Sequence, residues 1–287
     1  MSRIAALFQR YWPLFKSLQT GLLLFTGLAG YMSARCPVLN WTQVLGLTGS
    51  LFLSIGGSTV LNMVYDRDID RRMNRTCLRP LPSGSVSARE ALALGIGLSL
   101  AGVLWSLWMD LSYGSIVFAG MFFDVVVYTI LVKRRTAWAV VWGGIAGGMP
   151  VLAGRTLGIG AVDWVGISLA LSVLFWIPTH IMTFNLRYKA DYARAEIPTF
   201  PGQYGDRFTQ RVIALSSAVA ALAMGVSAYG IGLTWGVLRL LAALSVGLFV
   251  FAIVSLARPS SRTQFGLFKY ASLYMLGSMA LLAVEGL

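Results

Sequence analysis

The apolar residues of this 287-residue chain fall into runs of roughly 18 to 25, the length that crosses a hydrocarbon core about 30 Å thick. That grouping constrains the fold more than any single motif does. Only 12% of the residues are charged, about half the share of an average soluble domain. The reading is an all-α, polytopic membrane protein. Nine transmembrane helices are expected, at about 17–34, 41–65, 90–109, 113–131, 138–157, 163–186, 210–231, 236–257 and 265–285, in a single domain over 1–287.

Residues 1–16 carry Arg3, Arg10 and Lys16 among Leu7, Phe8, Tyr11 and Trp12. A charged start followed by an apolar core and a cleavage site is missing, so a signal peptide is not expected; an amphipathic segment lying along the membrane interface is. Cys36 and Cys77 stand in separate loops without CxxC spacing, which indicates neither a disulfide framework nor a zinc site.

The net charge of +12 could suggest nucleic acid, but 20 of the 23 Lys and Arg lie in alternate connections between apolar runs. Arg35, Arg155 and Arg239 lie on the other side. By the positive-inside rule the N-terminus and the long basic loops are cytoplasmic, and an odd number of spans puts the C-terminus outside. Membrane lipid, not nucleic acid, is the expected surround.

Two of the basic loops also hold six of the eleven acids: Asp66, Asp68, Asp70, Asp191, Glu196 and Asp206. The end of the second span reads Asn62-Met63-Val64-Tyr65-Asp66-Arg67-Asp68-Ile69-Asp70. In a helix Asn62, Asp66 and Asp70 share one face, each rotated by about 40° from the last. Three oxygen ligands so placed suit a hard divalent cation such as Mg²⁺, held by one or two carboxylates together with substrate phosphates. A salt-bridge network with Arg67, Arg71, Arg72 and Arg75 is the competing reading. Asn62 favours the metal, because a carboxamide adds nothing to an ion pair, and a polar residue inside a span points to function.

Arg75 and Arg79 follow in a turn bounded by Pro80, Pro82 and Gly84. Guanidinium forks match phosphate oxygens bidentately, so their company with the acids suggests a diphosphate clamp. The sixth span ends Trp176-Ile177-Pro178-Thr179-His180 and leads to Arg187, Lys189, Asp191 and Glu196. His180 is the only histidine; its position is expected to face the acidic loop, as a ligand, a base or a hydrogen-bonded structural group. Lys133, Arg134 and Arg135 form a basic cluster after the fourth span, read alone as a topology signal. Gly143, Gly144, Gly147, Gly148 and Gly154 in the fifth span permit close helix packing or leave room for a ligand, packing being the favoured reading.

Taken together these stretches resemble the UbiA superfamily of intramembrane prenyltransferases, whose signature is an Asn and Asp cluster ending span 2 and a second Asp motif ending span 6. The likeness is greatest to its haem O synthase (protohaem IX farnesyltransferase) branch. It rests on Asn62, Tyr65-Asp66-Arg67-Asp68-Ile69-Asp70, Arg75-Thr76, Arg79-Pro80-Leu81, Tyr128-Thr129, Lys133-Arg134-Arg135-Thr136, Met149-Pro150, Pro178, His180, Asp191-Tyr192 and Ile197-Pro198. Ala195 agrees with that branch, whereas many other members have a second aspartate there. Glu196 stands where the branch usually has Gly, and its Lys-Pro-Arg start of span 1 reads Lys16-Ser17-Leu18 here.

The resemblance implies a UbiA-like helical bundle in the cell membrane and a polyprenyl-group transferase. Asn62, Asp66, Asp70 and Asp191 would bind Mg²⁺ and the diphosphate of the donor. Arg75, Arg79, Lys133, Arg134, Arg135, Arg187 and Lys189 would be substrate-binding residues, and His180 a haem contact or base. Asp66, Asp70, Asp191 and His180 would be catalytic. The implied reaction moves a farnesyl group from an isoprenoid diphosphate to a vinyl group of haem b by Mg²⁺-assisted ionisation. The alternatives are another acceptor (a hydroxybenzoate, a quinone precursor or an archaeal glycerol phosphate lipid) or a transporter. A transporter needs polar residues near the bilayer midplane; of the acids, Asp124 alone is named inside a span.

Overall fold

Asn40, Ser87, Asp110, Asp163 and Ser260 each start a long helix in the computed structural model, their side chains accepting a backbone N–H of the first turn. The structure describes residues 9–35 and 40–286. Arg3, Leu7, Phe8 and Cys36 lie outside the described residues. The long helices are α1 (Ser17–Met32), α2 (Trp41–Tyr65), α3 (Ala88–Met109), α4 (Leu111–Val132), α5 (Ala139–Ile159), α6 (Trp164–Arg187), α7 (Asp206–Ile231), α8 (Trp235–Ala257) and α9 (Ser261–Glu285).

These follow the expected runs, with polar turns added where a cap extends the helix beyond its apolar part. α9 starts four residues before the expected 265, because Ser260 and Thr263 cap each other's backbone N–H. Gly160 and Gly232, with φ of 84° and 73°, end α5 and α7 in the left-handed conformation that suits glycine. Among the described residues α2, α3, α4 and α6 to α9, seven helices, are long and apolar enough to cross a membrane. α1 has 16 residues, and α5 is diluted by its glycines, Pro150 and Arg155.

Consecutive helices pack side by side from α1 to α9, α1 also touches α9, and α5 packs against α1. Small residues set the close approaches. A Cβ on Gly148 would lie 2.7 Å from the Ala170 carbonyl of α6, and one on Gly154 would collide with the Gly27 carbonyl of α1. The fifth-span glycines at these positions therefore serve packing, as lipid-embedded helix contacts require.

α4 changes winding halfway. Phe122–Val132 is π-helical, continued by a Lys133 N–H to Tyr128 carbonyl bond of 2.8 Å. Such wider turns are uncommon and often sit at functional sites. This one carries Asp124 and Thr129 towards Asn62 of α2.

Short helices Arg67–Arg72, Pro80–Ser83, Lys189–Arg194 and Phe200–Gln203 fold over one end of the bundle. At the opposite end Arg155 is buried, forked onto Asp163 at 2.8–3.1 Å and bonded to the Ser33 carbonyl at 2.7 Å. Arg35 there reaches Glu285 at 3.1 Å and the Gly232 carbonyl at 2.8 Å. The acid-bearing loops and these two arginines thus occupy opposite ends.

Candidate active site

α2 stops at Tyr65, yet its hydrogen-bond ladder runs on through Asp66 N–H to the Asn62 carbonyl (2.9 Å) and Asp70 N–H to the Asp66 carbonyl (2.8 Å). Asn62, Asp66 and Asp70 therefore keep a common face across the junction. Asp66 and Asp70 are 6% and 5% exposed. A carboxylate so buried needs compensation. Lys133 donates to Asp66 Oδ2, and Arg79 Nη1 donates to both Asp70 oxygens at 2.9 and 3.1 Å. Asp66 Oδ1 is buried and has no partner among the described residues.

Asn62 differs from the simple picture of three oxygens aimed at one point. Its Nδ2 donates to Asp124 Oδ2 at 2.8 Å, and its Oδ1 accepts from the Thr129 hydroxyl at 2.9 Å. The π-helical half of α4 supplies both partners. Asp124, the acid named inside a span, is thereby paired.

The arginines nearest in sequence are not the ones that pair with these acids. Among the described residues Arg67, Arg71, Arg72 and Arg75 form no salt bridge with Asp66, Asp68 or Asp70. Arg134 instead forks onto Asp68 at 2.7 and 2.9 Å and also holds the Tyr65 carbonyl at 2.7 Å. Those Arg134 hydrogen bonds hold the Asp68 carboxyl below its ordinary value and push the guanidinium up. Burial opposes the charge of Lys133, but Tyr128 and Asp66 beside it outweigh burial and raise its pKa. Lys133 and Arg134 of the cluster after α4 thus join the first acidic stretch, which a reading as a topology signal alone did not require.

The second acidic loop docks on the first. Ile69, Met73 and Ala195 form a small buried cluster with Tyr192 and Ile197 packed against it. Arg194 donates to Asn74 at 2.8 Å, and Arg72 meets Glu196 at 3.2 Å. Asp191 is buried, with Arg194 Nη2 3.6 Å away. Tyr192 is pushed up by burial, against the pull of Arg75, Lys133 and Arg79. Glu196 has a φ of +56°, the left-handed region where glycine is the easy residue.

Other predicted residues are placed around this centre. Arg75 stacks over Phe184 at 4.7 Å and Tyr188 at 5.8 Å, at the mouth of α6. Arg187 stacks over Phe265 at 4.3 Å. Lys189 is turned outward to Asp206 at 2.8 Å, and Arg135 is exposed beside the turn at Pro198 and Gly202. Among the described residues no three His, Cys, Asp or Glu converge as a closed metal cage.

His180 does not face the acidic loop. Its ring lies between Trp176 (4.9 Å) and Phe268 (4.5 Å), and Nδ1 is 3.2 Å from Ser272 Oγ of α9. The reason is helical phase: Trp176, His180 and Phe184 recur every four residues and meet Ala271 and Phe268 of α9. Phe184 connects this stack to Arg75, and so to the loops.

Two further polar residues were not singled out as site candidates from the sequence. Asn185 Oδ1 is buried without a partner near the end of α6. A carboxamide just before the second acidic loop is the signal that could have found it, since the same logic singled out Asn62. Lys16 stands half-buried in a left-handed conformation (φ 43°, ψ 58°) between the Trp12–Phe15 turn and α1. Burial, then the charges of Arg79 and Lys133, lower its pKa to about 8.

The chain matches the UbiA prenyltransferase family over residues 23–273. A protein of Archaeoglobus fulgidus named Protoheme IX farnesyltransferase is 37% identical over 93% of this chain and 92% of its own. One of the same name from Thermofilum pendens is 40% identical over 77% of each. A solved digeranylgeranylglyceryl phosphate synthase shares the fold with a TM-score of 0.82 at 18% identity, covering 97% of this chain and 98% of its own. A UbiA homologue from Archaeoglobus fulgidus, solved with DMAPP and Mg²⁺, gives 0.73 at 16% identity over 96% and 99%. The paired acidic loops, the long helices beneath them and these likenesses agree: the chain belongs to the UbiA prenyltransferase family.

Proposed function

We propose that this chain transfers a farnesyl group from farnesyl diphosphate to a vinyl group of haem b, giving haem O. Relatives 37% and 40% identical over most of the chain carry the corresponding name. The observation that carries the chemistry is Asp66, buried, with one oxygen on Lys133 and the other without a partner among the described residues. Such an orphaned hard oxygen fits a divalent cation, and a fold relative has been solved with Mg²⁺.

Asp66, Asp70 and Asp191, with Asn62, would hold Mg²⁺, which when bound would neutralise charge on the departing diphosphate. Arg79, Lys133, Arg134 and Arg135 supply the cations that hold the diphosphate, with Arg75, Arg187 and Lys189 at the rim. Preorganised charge of this kind is usually the largest catalytic contribution. The allylic C–O bond breaks with both electrons leaving on the diphosphate. The haem vinyl carbon then bonds to the allylic carbon, and water adds to the remaining cation and loses a proton. The aromatic wall of α6 and α9 keeps bulk water from the allylic cation. His180, within that wall, contacts the haem.

All nine long helices cross the membrane in this reading, with the N-terminus and the acidic loops cytoplasmic and the C-terminus outside. The distribution of Lys and Arg supports that orientation. The test is turnover of haem b with farnesyl diphosphate and Mg²⁺, beside a panel of aromatic and glycerol phosphate acceptors. A haem product heavier by farnesyl plus water is expected. Prenylation of a panel member alone would replace the acceptor and keep the donor site.

A further inference from the structure

A hydroxyl has one proton to give, and Ser272 has two neighbours competing for it. Its Oγ lies 3.0 Å from the Phe268 carbonyl and 3.2 Å from His180 Nδ1. The carbonyl can only accept, so the Ser272 proton goes there and its oxygen accepts from Nδ1–H. A neutral imidazole protonated on Nδ1 carries its lone pair on Nε2. Among the described residues Nε2 has no hydrogen-bond partner.

The ring is also held in angle. Trp176 and Phe268 lie on its two faces, tilted 28° and 29° from it. Trp176 is itself pinned by its Nε1 donating to the Ala271 carbonyl at 2.7 Å. Stacking on both faces leaves only the edge of the imidazole for a further contact, between the edges of the two aromatic rings. Aromatic edges are positive and the face of a porphyrin is electron-rich, so such a strip suits a flat macrocycle set against it.

We infer that Ser272 is a positioning residue: it fixes the tautomer of His180 so that Nε2 is presented as a ligand to the iron of the haem acceptor. The inference rests on the proposed haem reaction and adds to it the role of α9, which no motif in the sequence marks. Neutral imidazole is the common form of a histidine metal ligand. Hydrogen bonding at the other ring nitrogen orients such ligands, and losing it typically weakens metal binding by about 10- to 100-fold.

The experiment is a titration of the full-length protein in detergent with haem b and no farnesyl diphosphate, followed by the Soret band and by electron paramagnetic resonance. Wild type should show the signature of histidine-ligated haem, and His180→Ala should lose it. Ser272→Ala should bind haem about tenfold more weakly, with a raised KM for haem and an unchanged KM for farnesyl diphosphate. Ser272→Thr, which keeps the hydroxyl, should restore both. Wild-type haem affinity and spectrum in Ser272→Ala would overturn the inference, as would a wild-type spectrum in His180→Ala. If wild type farnesylates haem while Ser272→Ala behaves like it, this inference alone fails. If wild type neither binds nor farnesylates haem but prenylates another acceptor, the haem reading fails with it.

Discussion

Asn62 Nδ2 donates to Asp124 Oδ2 at 2.8 Å, tying the last turn of α2 to the π-helical half of α4. The amide is thereby held in one orientation, with its oxygen steadied by Thr129. Removing one partner of a buried hydrogen bond and leaving the other unsatisfied costs about 1–3 kcal/mol. Asp124→Ala should therefore lower turnover by roughly ten- to a hundredfold, since 1.4 kcal/mol is a factor of ten, through a loosened Asn62. The check is farnesyl transfer measured beside the amount of protein inserted in membranes. Unchanged turnover would make the bond structural only.

Asp66 is buried with one oxygen on Lys133 and the other without a partner among the described residues, so it should tolerate truncation poorly. Asp66→Ala should abolish detectable turnover, a loss of at least about a hundredfold, while the protein stays folded and inserted. Chelation of Mg²⁺ should have the same effect on wild type. Turnover retained by the variant at ordinary Mg²⁺ would remove the metal reading.

Lys16 should give the enzyme an alkaline limb. Its pKa is lowered to about 8 from an ordinary 10.5, so the ammonium is lost as pH rises through about 8. Above that pH one cation fewer faces the donor. The pH profile of kcat/KM for farnesyl diphosphate, which reports groups of the free enzyme, should fall there. Lys16→Arg, charged throughout, should lack that limb. The same shift has the opposite sign for stability: between about 8 and 10.5 the unfolded chain holds the proton and the folded chain does not, so stability rises with pH across that window. An identical profile for the two proteins would detach Lys16 from donor binding.

Glu196 occupies a left-handed backbone position, φ +56°, at an exposed site. A non-glycine residue there costs about 1–2 kcal/mol, and its exposed pair with Arg72 contributes about 0–1 kcal/mol. Glu196→Gly should raise stability by up to about 2 kcal/mol and leave the Mg²⁺ dependence of turnover unchanged. Thermal unfolding in detergent with a Mg²⁺ titration of activity checks both. A shifted Mg²⁺ dependence would make Glu196 part of the metal site.

Apolar run length determined the helices, because a lipid-embedded backbone has no water to bond and must close its own hydrogen bonds within each span. The positions of α1 to α9 were therefore legible from residue order alone. Helical periodicity likewise placed Asn62, Asp66 and Asp70 on one face, since that relation is local. Partners that lie far apart in sequence were not legible. Lys133 on Asp66, Arg134 on Asp68 and Asp124 on Asn62 join residues separated by more than sixty positions. The nearby Arg67, Arg71, Arg72 and Arg75 stood as the competing electrostatic account. His180 shows the same divide. Its type and helix could be read from the sequence, but its direction depended on the phase of α6 against α9. Ser272 could be found only there, because a serine in an apolar helix carries no signal until packing brings a second polar group within reach. Local geometry is written in spacing along the chain, whereas the choice among competing partners is made by how the helices dock.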